Sequence, residues 1–348
     1  MPMSARNHEV TKPQKLLNEK GNIAEPGWAR KQLQQYSRDQ IKAPGFLIKE
    51  WDYYLVVGDD YAVAFTLSDD GYVGLQSVSL LDFTEEPWEH TETVLDAFPM
   101  GKLNMPTDSS KGDIVYEKNN LKLRYLLEEE GDDRIRHIVC SFDDFYKGKP
   151  FCCDIRLHQP DMDTMVIATP WDKKGRFYYN QKINCMRAEG FAEYNGKRYE
   201  FFPDRNFGTL DWGRGVWTYD NTWYWGSGNC DVDGHAFGFN IGYGFGNTKA
   251  ASENMIFYDG VAHKIEDVTF IIPEDDYCKP WKFTSSDGRF EMDFEPILDR
   301  SACLDYKVIV SDQHQVFGRM HGKAILDDGT EISVSNLLCF AEKVHNRY

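Results

Sequence analysis

The sequence predicts an all-β protein built from antiparallel hairpins, and three observations lead to this fold class. From Lys49 onwards the chain consists of short runs such as DYYLVV, YAVAFTL and LKLRYLL, whose β-branched and aromatic residues are typical of strands. Asn-Gly and Asp-Gly dipeptides separate these runs and supply the positive φ angles of tight hairpin turns. No amphipathic pattern of ten or more residues indicates a helix, so a parallel sheet with crossover helices is not expected.

Individual strands and turns follow from the same pattern. In FEMDFE, Phe290, Met292 and Phe294 fall on one face and the intervening acids on the other, as in a strand with one buried face. Each turn dipeptide is expected to close a hairpin. These dipeptides are Asp70-Gly71, Asn195-Gly196, Asp233-Gly234, Asp259-Gly260, Asp287-Gly288 and Asp328-Gly329.

The length of 348 residues accommodates two β-rich halves, because single cores stop growing beyond about 250–300 residues. We place the boundary in the turn-rich segment TPWDKKGR, so that residues 27–175 form the N-terminal half and residues 176–348 the C-terminal half. Residues 1–26 are polar and are expected to form a loose arm. Each half is expected to be a barrel or a strongly curved sheet, because open sheet edges must be closed or covered.

Composition and charge argue against several classes of partner. Lys and Arg number 39 and Asp and Glu number 56, so the net charge is −17, which repels phosphate backbones and disfavours nucleic acid. No apolar run approaches the roughly 18 residues of a membrane span, so membrane insertion is not expected. With no secretion signal and no cysteine framework, we expect reduced thiols and a cytoplasmic location. The oligomeric state is not indicated.

The stretch FGTLDWGRGVWTYDNTWYWGSGN, residues 207–229, is the candidate site. It contains four of the nine tryptophans, interleaved with glycines and acids, a mixture that is poor core material. Trp223 and Trp225 are two residues apart and share one face of a strand. The tryptophans could stack on the apolar face of a ligand, or they could pack as an inter-domain core. The four are Trp212, Trp217, Trp223 and Trp225.

Acids in or beside this stretch are the candidates for chemistry. A carboxyl group buried against tryptophan has a raised pKa, because burial disfavours the charged form, and it can then act as a general acid near neutral pH. The alternative is that these acids are loop residues that cap their own backbone. The acids considered are Asp204, Asp211, Asp220 and Glu253, of which Asp211, Asp220 and Glu253 are the candidate catalytic residues and Asp211 or Asp220 the acid.

Polar and aromatic neighbours are candidates for substrate binding. Arg214 lies between glycines and could clamp a substrate carboxylate, or it could pair with Asp211. In KEWDYY, alternation places Glu50 and Asp52 on one face, which is expected either to face solvent or to contribute to a site at the junction of the halves. The aromatic side chains take the other face. The candidate substrate-binding residues are Trp51, Tyr53, Arg214, Trp217, Asn221, Trp223, Trp225, Asn240, Tyr243 and Asn254.

Neither a cofactor nor a metal is expected. The glycines of GFNIGYGFG are followed by a strand-like run, whereas a dinucleotide-binding loop requires a following helix. In a strand they mark bulges or close backbone approach, which would let the neighbouring polar side chains point into a cavity. The histidines are isolated, and no H-x-H, H-E-x-x-H or Cys/His quartet is present.

Several segments identify a family resemblance: GWAR, KEWDYY, DWGRGVW, TWYWGSG, NIGYGFG and ENMIFYDG. They resemble the signature segments of the bacterial Domain of Unknown Function 2804 family, from about Gly27 to the last strands. More remotely, the chain resembles the hydroxyneurosporene synthase (carotenoid hydratase) and AttH-like families. This second resemblance implies two lipocalin-like or calycin-like β-barrel halves and an acid-assisted reaction in an apolar cavity.

Three functional hypotheses remain open. The first is a small-molecule enzyme that uses carboxylate acid/base chemistry in a Trp-lined cavity at the junction of the halves, for hydration, cyclisation or isomerisation of an apolar or polycyclic substrate. A glycoside hydrolase using the same carboxylates is the second, because paired carboxyls also suit that reaction. The third is a non-catalytic binding protein for apolar molecules. A purely structural protein would instead have no cavity of several hundred Å³.

Overall fold

The chain folds almost wholly into antiparallel β-strands, and the predicted all-β class is confirmed. The computed structural model describes residues 6–131, 133–305 and 310–347. Residues 1–5 of the expected arm and residues 306–309 and 348 of the expected second half lie outside these ranges. Within them, the helical segments are two short 3₁₀ turns, Arg38–Gln40 and Gly45–Leu47. No helix in the described part of the chain has the length and apolarity to cross a membrane.

The first group of strands runs to Val216. In chain order these strands are β1 (Gln14–Lys15), β2 (Gly27–Ala29), β3 (Gln34–Gln35), β4 (Ile48–Val57), β5 (Tyr61–Asp69), β6 (Val73–Asp82), β7 (Trp88–Ala97), β8 (Ile114–Lys118), β9 (Leu121–Glu130), β10 (Asp133–Tyr146), β11 (Lys149–Gln159), β12 (Met165–Pro170), β13 (Phe177–Tyr194), β14 (Lys197–Phe201) and β15 (Phe207–Val216).

These strands form a nearly closed barrel. The order around it is β7-β6-β5-β4-β15-β13-β11-β10-β9-β8, with β2, β12 and β14 attached beside β13, while β1 and β3 form a separate pair. The two end strands approach each other, since Lys118 on β8 donates to the carbonyl oxygen of Leu95 on β7 at 3.1 Å and pairs with Asp96 at 2.6 Å. Near-closure removes most of the exposed sheet edge.

The second sheet is a half-barrel in the order β19-β18-β17-β16-β24-β23-β22-β21-β20. Its strands are long where they cross the middle of the sheet, and it packs against the outside of the first barrel. In chain order they are β16 (Asp220–Val232), β17 (His235–Tyr243), β18 (Met255–Tyr258), β19 (Val261–Lys264), β20 (Val268–Ile271), β21 (Trp281–Ser285), β22 (Phe290–Asp305), β23 (Val310–Ile325) and β24 (Glu331–Arg347).

The sheets divide after Val216, not at the expected boundary near residue 175. The segment TPWDKKGR is the turn of a hairpin, because β12 pairs antiparallel with the start of β13. Strand β13 then pairs with β11 and β15 inside the first sheet. A turn-rich composition is typical of a hairpin turn as well as of a domain boundary. The predicted boundary therefore lies within a hairpin of the first sheet.

The N-terminal arm is packed rather than loose over its described part. Val10, Leu16 and Leu17 are buried in the core of the first barrel. Asn7 accepts a hydrogen bond from the backbone nitrogen of Ser252 at 3.2 Å, so the arm also contacts the second half. Together with Ile23, these residues anchor a mainly polar segment to the barrel.

The hairpin turns follow the sequence prediction closely. Asn195-Gly196, Asp233-Gly234 and Asp259-Gly260 have positive φ at both residues, from 45° to 88°, as a type I′ turn requires. The alternation also holds in the strand Phe290–Asp305, where Phe290, Met292 and Phe294 are buried in the core of the half-barrel.

Three apolar clusters hold the molecule together: one inside the barrel, one inside the half-barrel and one between the two sheets. The cluster between the sheets contains Tyr178, Trp217, Trp225 and Phe340. Its residues come from both sheets, so the interface is where the central aromatic stretch lies.

Candidate active site between the two sheets

Strand β15 sends its side chains alternately into the barrel and into the interface between the sheets. Trp212 packs inside the barrel, with its ring centroid 5.6 Å from that of Tyr179, and Arg214 is buried on the same face. Asp211 takes the opposite face and lies in the wall of a cavity between the sheets. Two residues three positions apart in a strand necessarily face opposite ways.

The cavity has a volume of about 200 Å³ and is partly open to solvent. Trp217 is at the centre of its aromatic wall, with ring centroids 5.6 Å from Trp51 and 5.2 Å from Trp223, both edge-on. Edge-on contacts of this kind between aromatic rings are favourable, so the rings form one continuous wall. The lining residues are Lys49, Trp51, Thr66, Ser68, Asp70, Leu75, Tyr178, Asp211, Trp217, Trp223, Trp225, Phe245, Gln313, Glu342 and Asn346.

Glycine at position 213 makes room for the Trp51 indole. A Cβ atom at Gly213 would lie 2.0 Å from Cζ2 of Trp51, far inside van der Waals contact. The glycines of DWGRGVW therefore serve close approach between neighbouring strands, and the ring in the cavity wall depends on one of them.

Asp211 is held by two donors from strand β13. Lys182 Nζ lies 2.9 Å from Asp211 Oδ1, and Asn180 Nδ2 donates to the same oxygen at 2.6 Å. Among the described residues, no side chain donates to Oδ2. The ammonium of Lys182 also lies 3.7 Å from the centroid of the Trp225 ring, a cation–π contact that ties the ion pair to the aromatic wall.

Glu342 is the second carboxyl group in the cavity wall. Trp223 Nε1 donates to its Oε1 at 2.9 Å, and Gln315 Nε2 donates to its Oε2 at 2.9 Å. Burial raises the pKa of Glu342, and these hydrogen bonds oppose the shift only in part. The cavity thus presents one carboxyl group paired with an ammonium and another that retains its proton to higher pH.

Glu253 lies behind the cavity wall, next to Tyr178. The Tyr178 hydroxyl donates to Glu253 Oε2 at 3.4 Å, and Oε1 has no hydrogen-bond partner among the described residues. Burial raises the pKa of Glu253 to about 7, an effect that Lys182 opposes. Burial also lowers the pKa of nearby Lys264 to about 7. A carboxyl group and an amine whose pKa values are both about 7 thus lie behind the cavity wall.

Other candidate residues from the sequence support the cavity or line it. Trp51, Trp217, Trp223 and Trp225 line it together with Asp211, whereas Glu253 does not reach its surface. Two more residues lie behind the wall. Tyr53 packs edge-on against Trp225 at 6.0 Å, and Asn240 Oδ1 accepts a hydrogen bond from Trp225 Nε1 at 2.7 Å.

Four candidates are placed away from the cavity. Asp220 is exposed and 3.0 Å from His345, because it begins β16 at the rim of the sheet. Tyr243 stacks on Tyr224 on the far face of the half-barrel, with ring centroids 4.5 Å apart. The Asn254 side chain accepts a hydrogen bond from the backbone nitrogen of Gly242. Asn221 lies near the start of β16, where it pairs with Asn346 on the last strand. Asp204 is exposed as well.

Arg214, Glu50 and Asp52 are also placed differently from expectation. Arg214 Nη1 lies 2.9 Å from Asp52 Oδ1 inside the barrel, so the arginine pairs neither with Asp211 nor with a ligand in the cavity. Glu50 accepts from the Tyr36 hydroxyl at 2.7 Å and pairs with Arg38. The expected solvent exposure of both acids was wrong, because their face of β4 points into a nearly closed barrel.

Sequence reasoning missed Lys182 and Glu342. Each lies outside the central stretch. Strand pairing places Lys182 on β13 opposite Asp211 and Glu342 on β24 opposite Trp225. Their signal was weak: a charged residue within a run of strand residues, such as Lys182 in YYNQKINCM. No group of three His, Cys, Asp or Glu side chains suited to a metal occurs among the described residues.

Comparison with solved structures finds distant likenesses. A protein from Nitrosomonas europaea described as AttH is 11% identical, with a TM-score of 0.48, over 89% of this chain and 96% of that chain. Kievitone hydratase from Nectria haematococca is 9% identical, with a TM-score of 0.45, over 96% of this chain and 98% of that chain. For CghA the values are 8%, 0.43, 97% and 97%. These likenesses are too distant to assign an activity.

No curated protein matches the chain. A family model, however, matches residues 7–348. That span includes every strand described above and both walls of the cavity. The resemblance seen in the sequence is thereby confirmed, and the chain belongs to the family described as Domain of unknown function (DUF2804).

Proposed function

We propose that the protein is an enzyme that moves protons on a small, flat, apolar molecule bound between the two sheets. One observation carries the proposal: two carboxyl groups in different environments, Asp211 and Glu342, share the wall of a tryptophan-lined cavity. A buried carboxyl with a raised pKa suits the acid role, and a carboxyl group paired with an ammonium suits the base role.

Asp211 is assigned as the base and Glu342 as the acid. The ammonium of Lys182 and the amide of Asn180 both contact Asp211 Oδ1, so Oδ2 is the oxygen that faces a substrate proton. Burial raises the pKa of Glu342, which favours the protonated form that an acid requires. A proton removed by one carboxyl and returned by the other at a different atom leaves the substrate isomerised or cyclised. In hydration, Glu342 would protonate a carbon of a double bond and Asp211 would take a proton from the water that adds to the other carbon.

The polar groups of the wall suggest an oxygen on the substrate. Asp211 and Glu342 both line the cavity, and the proton donor assigned to Glu342 needs an acceptor on the ligand. A ligand oxygen accepts a charge-assisted or carboxylic O–H hydrogen bond better than a carbon framework does. A phenol, an enol or a conjugated ketone combines such an oxygen with a flat apolar body.

The size of the cavity limits what it encloses. A cavity of about 150 Å³ holds benzene, and drug-sized ligands need roughly 300–1,000 Å³. The observed volume of about 200 Å³ therefore encloses one ring rather than a polycyclic skeleton. A larger substrate would extend through the open side.

Hydrogen exchange at carbon tests the proposal without knowledge of the net reaction. The protein would be incubated in D₂O with a panel of unsaturated phenols, enols and conjugated ketones, and deuterium incorporation followed by NMR. We expect incorporation with the native protein and a loss of about 10²–10⁴-fold in Asp211→Asn and Glu342→Gln. The control is Asp220→Asn, whose exposed carboxyl should not matter.

The outcomes separate the competing functions. Equal loss in Asp220→Asn would contradict the assignment of the cavity carboxyls. If panel members bind the native protein and Asp211→Asn equally well and none exchanges, the non-catalytic binding protein is favoured. Cleavage of an aryl glycoside with loss in the same two variants would favour the glycoside hydrolase.

A further inference from the structure

An apolar surface continues from the cavity to the outside of the protein. Among the described residues, half of the large hydrophobic side chains that are exposed lie in this one region. We call them the apolar apron: Phe46, Leu75, Leu95, Phe98 and Met100. Monomeric proteins rarely leave such side chains grouped in the open, and a group of them marks a binding surface.

The apron is continuous with the cavity wall. Leu75 lines the cavity and lies directly opposite Leu95 in the pairing of β6 with β7, so the two side chains share one face. Lys49, another lining residue, places its ammonium 5.3 Å from the centroid of the Tyr72 ring. The backbone nitrogen of Phe98 donates to the Tyr72 carbonyl oxygen at 2.9 Å.

The loop that carries Phe98 and Met100 is held in an unfavourable backbone conformation. Phe98 has φ of 51° and Met100 has φ of 54°, in the left-handed region that bulky residues rarely adopt. The loop is nevertheless anchored, because the nitrogen of Gly101 donates to the buried Asp69 carboxylate at 2.6 Å. The two side chains that this backbone carries are exposed, 64% in the case of Phe98, so they bury little apolar surface in the free protein.

We propose that the apron binds an apolar chain attached to the ring in the cavity, so that the ligand is an alkyl-substituted ring. The inference rests on the proposed function, because it takes the cavity as the site of the ring. A cavity of about 200 Å³ has no room for the chain, and the apron begins where the cavity opens. The net charge of −17 disfavours an anionic membrane as the occupant.

The length of the ligand's alkyl chain is varied to test this proposal. Isothermal titration calorimetry would compare para-ethylphenol with para-hexylphenol. A buried methylene contributes about 0.8 kcal/mol, and an apron covers only one side of the chain. We therefore expect the hexyl compound to bind the native protein about tenfold more tightly than the ethyl compound.

The decisive variant is Phe98→Asn/Met100→Asn. Asparagine tolerates the left-handed region, so the double variant should fold at least as stably as the native protein. We expect it to lose most of the tenfold preference for the hexyl compound and to bind the ethyl compound unchanged. The matched control is Ile271→Ser, which removes an equally exposed apolar side chain from β20, outside the cavity lining.

Each contrary result has a distinct meaning. Equal binding of the two phenols by the native protein would overturn the apron and leave the proposed function standing. Failure to bind either phenol would overturn both. If light scattering shows that the native protein is a dimer and the double variant a monomer, the occupant of the apron is a second copy of the protein and not a ligand. Native binding to phosphatidylcholine vesicles that is lost in the double variant would replace it by a lipid surface.

Discussion

The interior of the barrel and the cavity between the sheets are both buried, both rich in aromatic rings and both charged, yet they differ in the space left beside their charged groups. Inside the barrel, Arg214 pairs with Asp52 and Arg136 donates to Gln159, and the space left beside Asp52 and Arg136 is about 10 Å³. Between the sheets, the carboxyls of Asp211 and Glu342 face about 200 Å³.

Strand β15 contributes to both regions, which makes the comparison direct. Its Arg214 completes a sealed ion pair, and its Asp211 faces open space three residues earlier. Burial and charge alone therefore do not identify a site. The distinguishing property is space beside the charged group, and substitutions on the two faces of one strand should separate stability from activity.

The largest effect on stability is expected for Arg214→Met. Burial raises the pKa of Asp52, an effect that Arg214 opposes, and removing the arginine leaves the carboxyl without its partner. Breaking a buried pair costs about 3–5 kcal/mol. Urea unfolding should show a loss of that size in the free energy of unfolding.

The control for this variant is Arg205→Met. Arg205 pairs with Asp59 on the surface, and exposed pairs contribute about 0–1 kcal/mol. If both variants lost the same small amount of stability, the barrel interior would be as accessible to water as the surface, and the comparison between the two regions would fail.

A smaller effect on the free energy of unfolding, on the order of 3 kcal/mol, is expected from the titration of Glu253. The folded pKa is about 7 against an ordinary value of 4.5. Between pH 4.5 and pH 7 the folded state binds more protons at Glu253 than the unfolded state does. The contribution of this protonated side chain to stability is therefore fully present below pH 4.5 and is lost as pH rises to about 7. Glu253→Gln removes that loss.

Unfolding of the native protein and of Glu253→Gln at pH 4.5 and pH 8 checks this expectation. The variant should gain stability relative to the native protein as pH rises. Glu331→Gln, at an exposed glutamate on β24, should show no such gain. A constant difference between native protein and Glu253→Gln across this range would mean that Glu253 is ionised in the folded state.

The sequence predicted what depends on local rules. Alternation and turn dipeptides identified the strands and hairpins, and the density of tryptophan between Trp212 and Trp225 pointed to the interface. The same alternation also implies that Asp211 and Arg214 face opposite ways, because an odd spacing in a strand separates their faces. Arg214 could thus have been excluded from the cavity without coordinates.

The rest depends on pairing between distant strands. Lys182 lies opposite Asp211 in the pairing of β13 with β15, and Glu342 lies opposite Trp225 in the pairing of β16 with β24. No local pattern fixes these registers. Asp220 was chosen for its closeness in sequence to the tryptophans, whereas its position at the start of β16 exposes it.

The most direct measurement is a crystal structure with para-ethylphenol. We predict that the ring lies between Trp51, Trp217 and Trp223, with its hydroxyl within hydrogen-bonding distance of one of the two wall carboxyls. Electron density for the phenol only at other positions, with the indoles closed over the cavity, would contradict the claim that this interface is a ligand site.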